Sequence, residues 1–439
     1  IPGGRADRMD ESDDSESGDD TDAGRAVAAA VDGTRLREDL ERNGEFGAVP
    51  GEGHGRTVLT GSEPNRAARE YLVERLEDAG LVVDIDAVGN VSGRWVPPSA
   101  SGAPVASGSH LDSVPEGGIF DGPLGVYAAL ESVRAMRDAG FEPARPVEVV
   151  SFTEEEGARF SSGLLGSSVA VGVRSPEDAL AKADPDGVTL GEALEAIGFR
   201  GEGRLDASAW NAWLELHVEQ HTELESRGVP AGVVTDVTGI THCAVEVRGE
   251  ANHAGSTPMG DRHDALCAAS EFVLDLERAA NERTAVDPAA VGTVGHLAVS
   301  PDARNVVPGR VETSVDIRSI ERESMDHLVD AARDSLDRIA GERDVETDIE
   351  RGFDLHPTPM AERCRAALHD GADAAGLEAV DLHSGAAHDS MHVANVTDAG
   401  MLFAPSRDGI SHSPREWTDW DDCADATRVL AAGLAGLAR

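Results

Sequence analysis

Histidines and acids of the kind that bind divalent metals are spread over four short segments of this 439-residue chain. The stretch GSHLDSVPEGGIFDGPLGV at 108–126 offers His110 as a ligand, Asp112 two residues on to fix the imidazole tautomer, and Asp121 to bridge two ions. Imidazole nitrogen and carboxylate oxygen together suit Zn, Mn, Co or Ni. TEEEGARF at 153–160 sets acids side by side, where one can hold metal and another can take a proton from the attacking water. ELHVEQ at 215–220 adds His217, and SRDGISHSPRE at 406–416 adds His412. Alone, a His-X-Asp is commonly a surface hydrogen bond and an acidic run a solvated face. Together these segments have the donors for metal-assisted hydrolysis.

The elements that must position these groups are legible as well. Three apolar stretches, 104–109, 147–152 and 213–216, read as strands, and each runs directly into a polar cluster: His110, Glu154 to Glu156, and His217. The carboxyl ends of strands in an open α/β sheet are where loops converge on a ligand, so three segments aim at one crevice. A helix is expected after Asp121, with Pro123 in its first turn, Val126, Ala129, Leu130, Val133 and Met136 on one face, and Gly140 as its stop.

The length implies more than one domain. Residues 1–24 are rich in Asp, Ser and Gly and are expected to be a disordered acidic tail. From residue 25 onward strands and helices alternate, the pattern of a mostly parallel-sheet α/β domain. Between about 236 and 351 the pattern changes to alternating strands (Cys243, Val245, Val247; Val311, Val315, Ile317) and two amphipathic helices, marked by Ala265, Ala269, Phe272 and Leu276, and by Met325, Leu328, Ala332, Leu336 and Ile339. This is expected to be a smaller α+β domain that interrupts a catalytic domain of residues 25–235 and 352–439.

Acidic residues outnumber basic ones by 82 to 38, the net charge is -44, and Lys182 is the only lysine. Such a field repels nucleic acid and anionic lipid, which excludes both as partners. It suits a salt-loaded cytoplasm like that of a halophilic archaeon, where molar salt screens charges within ~3 Å. The four cysteines lack zinc-knuckle or disulfide spacing and are expected to be reduced. No apolar run approaches the ~20 residues of a membrane span, and residues 1–24 hold no hydrophobic signal core, so the expected location is cytoplasmic.

Read with NHAGSTPMGDRHD (252–264), RNVVPG (304–309) and SGAAHD (384–389), the motifs follow one another as in a known family. From about Leu36 to Leu434 the chain resembles the metal-dependent amidohydrolases of the hydantoinase/carbamoylase family, which include N-carbamoyl-L-amino acid hydrolases, β-ureidopropionases and allantoate amidohydrolases. The resemblance implies two divalent ions bridged by Asp121, one completed by His110 and His217 and the other by Glu156 and His412, with Glu155 as base. It implies substrate contacts from Gln220, His253, Asn305 and Arg318, and a catalytic part for His253 that a neighbouring subunit supplies if the insert is a lid and dimer surface. The expected substrate is a small ureido acid, with allantoate and, more distantly, acyl amino acids or dipeptides as alternatives. His217 stands where the related carboxypeptidases and aminoacylases usually have a carboxylate. Two departures fall beside the expected site: His221 and Ala387 replace glycines of the family pattern.

Removing counterions restores repulsion among the carboxylates. The unfolding temperature is therefore expected to fall steeply as potassium chloride is diluted, and a midpoint independent of salt would overturn the halophilic reading.

Overall fold

The computed structural model describes residues 14–161 and 163–439. They form two compact units: the first runs to Thr235 and takes in Met360–Leu382 and His388–Arg439, and the second comprises Asp236–Pro359 with His383–Ala387.

In the first unit the main sheet is ordered Val82–Ile85, Val91–Trp95, Val147–Phe152, Val105–His110, Ala212–Val218, Asp398–Ala404 and Ala231–Val237. The central four strands run parallel, and antiparallel strands flank them on both sides. Every residue of Val105–His110, Val147–Phe152 and Ala212–Val218 is buried, as expected of parallel strands covered on both faces. Each of these strands ends at or immediately before a polar cluster, so the crossover topology brings His110, the 154–156 acids and His217 to one edge.

The helix after Asp121 spans Pro123–Asp138, with proline in its first turn, where no amide donor is needed. It stops where Gly140 takes φ 68° and the Phe141 amide reaches back to the Met136 carbonyl at 2.8 Å. Its burial exceeds a single stripe, since Leu124, Tyr127 and Ala128 are covered as fully as Val126 and Leu130. The helices Gly33–Glu45 and Trp420–Leu437 pack on it, and Trp420–Leu437 also lies against the strands Val105–His110, Ala212–Val218 and Asp398–Ala404.

The expected disorder of the acidic tail needs correction over residues 14–24. Residues 1–13 lie outside the described residues, but Asp14–Ala29 is one helix. Its last turns place Val27 and Ala28 in the core, against Glu362–Ala375 and Trp420–Leu437. A helix nucleated by that burial extends back into the acidic stretch at little further cost, because propagation is far easier than nucleation.

The second unit is an antiparallel sheet ordered Glu346–Leu355, Gly239–Arg248, Arg310–Ser319, Val291–Ser300, covered on one face by the helices Ala265–Arg283 and Arg322–Arg343. Val245, Val247, Val311, Val315 and Ile317 meet Phe272, Leu276, Leu328 and Leu336 in a core of their own. The second crossing of the chain lies after Pro359, beyond the expected 351. The reason is the strand Glu346–Leu355, which pairs with Gly239–Arg248 along its length and would be cut in two by the earlier boundary.

Three cysteines are buried, Cys267 is exposed, and all four are free thiols. Among the described residues no helix is long and apolar enough to cross a membrane.

Phe272 is fully buried at the centre of the second core. Phe272→Ala is expected to cost about 3–5 kcal/mol by loss of burial and creation of a cavity. Chemical denaturation at high salt measures it, and a loss below 1 kcal/mol would show that this core is not packed as described.

Candidate dinuclear metal centre

Two groups of potential ligands share one aspartate: His110, Asp121 and His217, and Asp121, Glu156 and His412. Asp121 Oδ1 lies 3.6 Å from His110 Nε2 and 3.3 Å from His217 Nε2, whereas its Oδ2 lies 3.5 Å from His412 Nε2. His412 Nε2 is in turn 3.3 Å from Glu156 Oε2. One carboxylate thus offers a different oxygen to each group, which is the arrangement of a bridging ligand.

The residues fit metal. Ligand atoms held about 2.1 Å from a tetrahedral ion stand roughly 3.4 Å from each other, close to the separations seen here. His110 Nε2 is buried and has no hydrogen-bond partner, a cost that an ion at that position removes. Both inner imidazoles are preset, for His110 Nδ1 lies 3.1 Å from the Asp112 carbonyl and His217 Nδ1 lies 3.0 Å from the Val218 carbonyl. In the neutral ring, donation to those carbonyls leaves Nε2 as the nitrogen facing Asp121 and open to a metal ion.

The electrostatics point the same way. Burial works against the charge of Asp121, but His217, His110 and His412 hold it well below the usual carboxylate range. Burial also opposes the charge on His217, which Asp121 nevertheless raises to about 9. Burial lowers His110 to about 4. Glu155 and Glu156 are pushed well above their usual values, first by burial and then by neighbouring carboxylates, chiefly Asp389 for Glu155 and Asp121 for Glu156. Divalent cations are what such a surplus of buried negative charge requires.

The three adjacent acids have different environments. Glu154 adopts φ 56°, in the left-handed region, and turns inward so that its Oε1 accepts from the Arg159 and Phe160 amides at 2.8 and 2.5 Å. The Asp112 carboxylate accepts from the amides of Glu155 and Glu156 at 3.3 and 3.2 Å, fixing the next turn. Asp112 was expected to set the His110 tautomer; its backbone carbonyl is positioned to do so, and its side chain instead holds the acid loop. Glu156 Oε1 accepts from the Val114 amide at 3.3 Å, leaving Oε2 toward His412. Glu155 Oε2 stands 3.7 Å from His110 Nε2, beside the ligands but in neither group.

Two glycines make room for this packing. Gly122 has φ 82°, and a Cβ there would lie 2.5 Å from the His110 ring. At Gly118 a Cβ would overlap the Glu416 carboxylate. Glu416 escaped the reading of the sequence, although it closes the SRDGISHSPRE motif. Its Oε1 accepts from the Phe120 and Asp121 amides at 3.0 Å each, and burial, followed by the charge of Asp121, raises it to about 7. His388 of SGAAHD was also missed. Its ring is buried edge-on against His217, with centroids 4.6 Å apart.

Of the expected substrate contacts, Gln220 lies in this unit. Its φ is 58°, and its Nε2 donates to Asp121 Oδ2 at 2.8 Å. The other three belong to the second unit. His253 is exposed, and its Nδ1 accepts from the Gly255 and Ser256 amides at 3.0 Å each, so the neutral ring carries its proton on Nε2. Asn305 lies alongside, its carbonyl accepting from the Ala254 amide at 2.9 Å. Arg318 occupies the sheet face opposite Val311, Val315 and Ile317, as alternation requires, but its Nε and Nη2 donate to Asp316 at 2.9 and 3.1 Å. Neither His221 nor Ala387 takes a positive φ; Gln220 does, and the His221 side chain is 75% exposed.

His217→Ala and His412→Ala each remove a candidate ligand from a different group. Each is expected to lower the metal content of the purified protein by about one ion per chain, measured by elemental analysis. Two ions retained in either variant would refute this ligand set.

Residues 106–435 match the family described as peptidase family M20/M25/M40. The chain is 40% identical over 410 residues to the N-carbamoyl-L-amino-acid amidohydrolase of Paenarthrobacter aurescens, covering 92% of this chain and 98% of that one. It is 35% identical over 365 residues to the allantoate amidohydrolase of Bacillus subtilis, covering 82% and 87% of the two chains. A crystal structure of an amidase of the hydantoinase/carbamoylase family from Burkholderia multivorans superposes with a TM-score of 0.87 at 37% identity, covering 93% of this chain and 98% of the other. By these matches over most of its length, the chain belongs to peptidase family M20/M25/M40 and, within it, groups with the hydantoinase/carbamoylase amidases.

Proposed function

We propose that this protein hydrolyses the carbamoyl C–N bond of N-carbamoyl-L-amino acids. The observation that carries the reading is the pair of ligand groups sharing Asp121 beside Glu155, in a chain 40% identical to an N-carbamoyl-L-amino-acid amidohydrolase. Water adds to the carbamoyl carbon, the bond to the amino acid nitrogen breaks, and the resulting carbamic acid falls apart into ammonia and carbon dioxide. The likeness to an allantoate amidohydrolase supports a second reading, allantoate as substrate, chemically the same cleavage on a longer ureide.

His110, Asp121 and His217 would hold one divalent ion, and Asp121, Glu156 and His412 the other, drawn from Zn, Mn, Co or Ni. Bound there, the ions supply Lewis acidity that acidifies water and polarises the carbonyl. Glu155, whose buried carboxyl has a raised proton affinity, takes the proton of the attacking water and gives it to the leaving amine. His253, with its proton on Nε2, is the proposed donor to the developing oxyanion. Arg318, Asn305 and Gln220 are the proposed contacts for the substrate's polar ends. A homodimer formed through the second unit, working in a salt-rich cytoplasm, completes the proposal.

Ammonia release from carbamoyl amino acids, carbamoyl-β-alanine and allantoate, assayed at high salt with metal present, ranks the substrates; no release from any would overturn the reading. Glu155→Gln is expected to keep its metal yet lose roughly 10²- to 10⁴-fold in turnover, since an amide accepts no proton. Arg318→Lys keeps the charge and loses the two-pronged donor, so kcat/KM should fall at least ~10-fold, about 1.4 kcal/mol, with metal content unchanged. That loss should shrink when an amide replaces the substrate carboxylate. An equal loss on both substrates would make Arg318 a support for its own sheet.

A further inference from the structure

The two halves of the metal centre are built differently, and this difference predicts how they fill. The His110 and His217 side chains are 1% and 2% exposed, and a backbone carbonyl orients each ring. The His412 side chain is 50% exposed, its backbone sits at φ 52°, and among the described residues no protein group is seen to orient its Nδ1. The bridging oxygens differ too. Asp121 Oδ2, the one facing His412, already accepts from Gln220 Nε2 at 2.8 Å and from Ser411 Oγ at 2.6 Å. A carboxylate oxygen has two lone pairs, so both positions on Oδ2 are in use.

Resting on the ligand set proposed above, we infer that the ions bind in order and that Gln220 is the latch on the second position. The ion held by His110, Asp121 and His217 enters first, into a buried and preset site. The ion held by Glu156 and His412 must displace one donor from Oδ2. Of the two, the Ser411 contact is the shorter, and Gln220 Nε2 keeps a second acceptor, Ser411 Oγ at 3.3 Å, when it leaves Oδ2. Gln220 therefore gives way. Its amide, released from Asp121, becomes available to a substrate only in the fully loaded centre, so metal occupancy and substrate contact are coupled through one side chain. Gln220 acts here as a positioning residue.

The test is metal uptake by the apoprotein at high salt, titrating Zn²⁺ by calorimetry and Co²⁺ by its visible absorption. The native chain should bind in two steps, the second at least about tenfold weaker. Gln220→Leu, which keeps the bulk but donates nothing, should tighten the second step about tenfold and leave the first unchanged, the effect of removing a hydrogen bond to a charged group. His412→Ala should lose the weak step alone. Two ions entering with equal affinity, a second step unchanged or weakened in Gln220→Leu, or loss of the tight step in His412→Ala would each overturn the inference. An apoprotein that takes up no ion would overturn the ligand set itself, whatever Gln220 does.

Discussion

Asp121 is almost wholly buried, yet the histidines around it, His217 first, hold it well below the usual carboxylate range. A carboxylate without such neighbours would bear a desolvation cost of several kcal/mol at this depth. Much of the surrounding architecture serves to hold this one group. Glu416 grips its amide, Gly118 and Gly122 let Glu416 and His110 come close, and Gln220 and Ser411 fill the lone pairs of its outer oxygen. Arg56, also buried, ties the two ends of the same loop by donating to the Leu111 and Gly118 carbonyls at 3.1 and 3.0 Å. The loop that carries Asp121 is thus fixed from several directions.

Among the candidate ligands, His110, Asp121, Glu156 and His217 each follow a local signal, an apolar strand running into a polar cluster or a helix start with proline in its first turn, whereas His412 was expected from its motif and the family resemblance. Period and punctuation suffice for the first four. The supporting residues lack any such signal. Glu416 touches Asp121 across 295 positions of sequence, and Gln220 meets Ser411 across 191, so only the folded chain brings them together. The same reason explains the errors of extent. The strand Glu346–Leu355 belongs to the second unit through its pairing with Gly239–Arg248, and the acidic helix Asp14–Ala29 exists through the burial of Val27; both are tertiary facts.

The acid run at 154–156 shows how identical side chains acquire unlike roles. Composition alone leaves all three equivalent. A single left-handed residue, Glu154, reverses the chain at the strand end and sends its own carboxylate back to cap the amides of Arg159 and Phe160. Such a conformation costs a non-glycine residue on the order of 1 kcal/mol and persists where neighbours enforce it. With Glu154 spent on the turn and Asp112 holding the next two amides, Glu156 reaches His412 and Glu155 is left beside His110. The division between ligand and proposed base is therefore made by the backbone.

The acidity of the chain bears on recognition as well as on solubility. With 82 acids against 38 basic residues, an arginine at a surface rarely lacks a carboxylate neighbour, and Arg318 is paired with Asp316 through two donors. His242 Nε2 also lies 3.1 Å from Asp316 Oδ2, so that carboxylate has more than one partner. A substrate carboxylate taken up by Arg318 would then replace an existing ion pair. Such an exchange contributes little net Coulomb energy, because one carboxylate leaves as another arrives, and at high salt screening weakens both pairs alike. What it can supply is discrimination: a planar two-pronged donor accepts a carboxylate in Asp316's place and has nothing to gain from a neutral group. On this argument the proposed contact would select the substrate by shape and charge more than it would tighten binding.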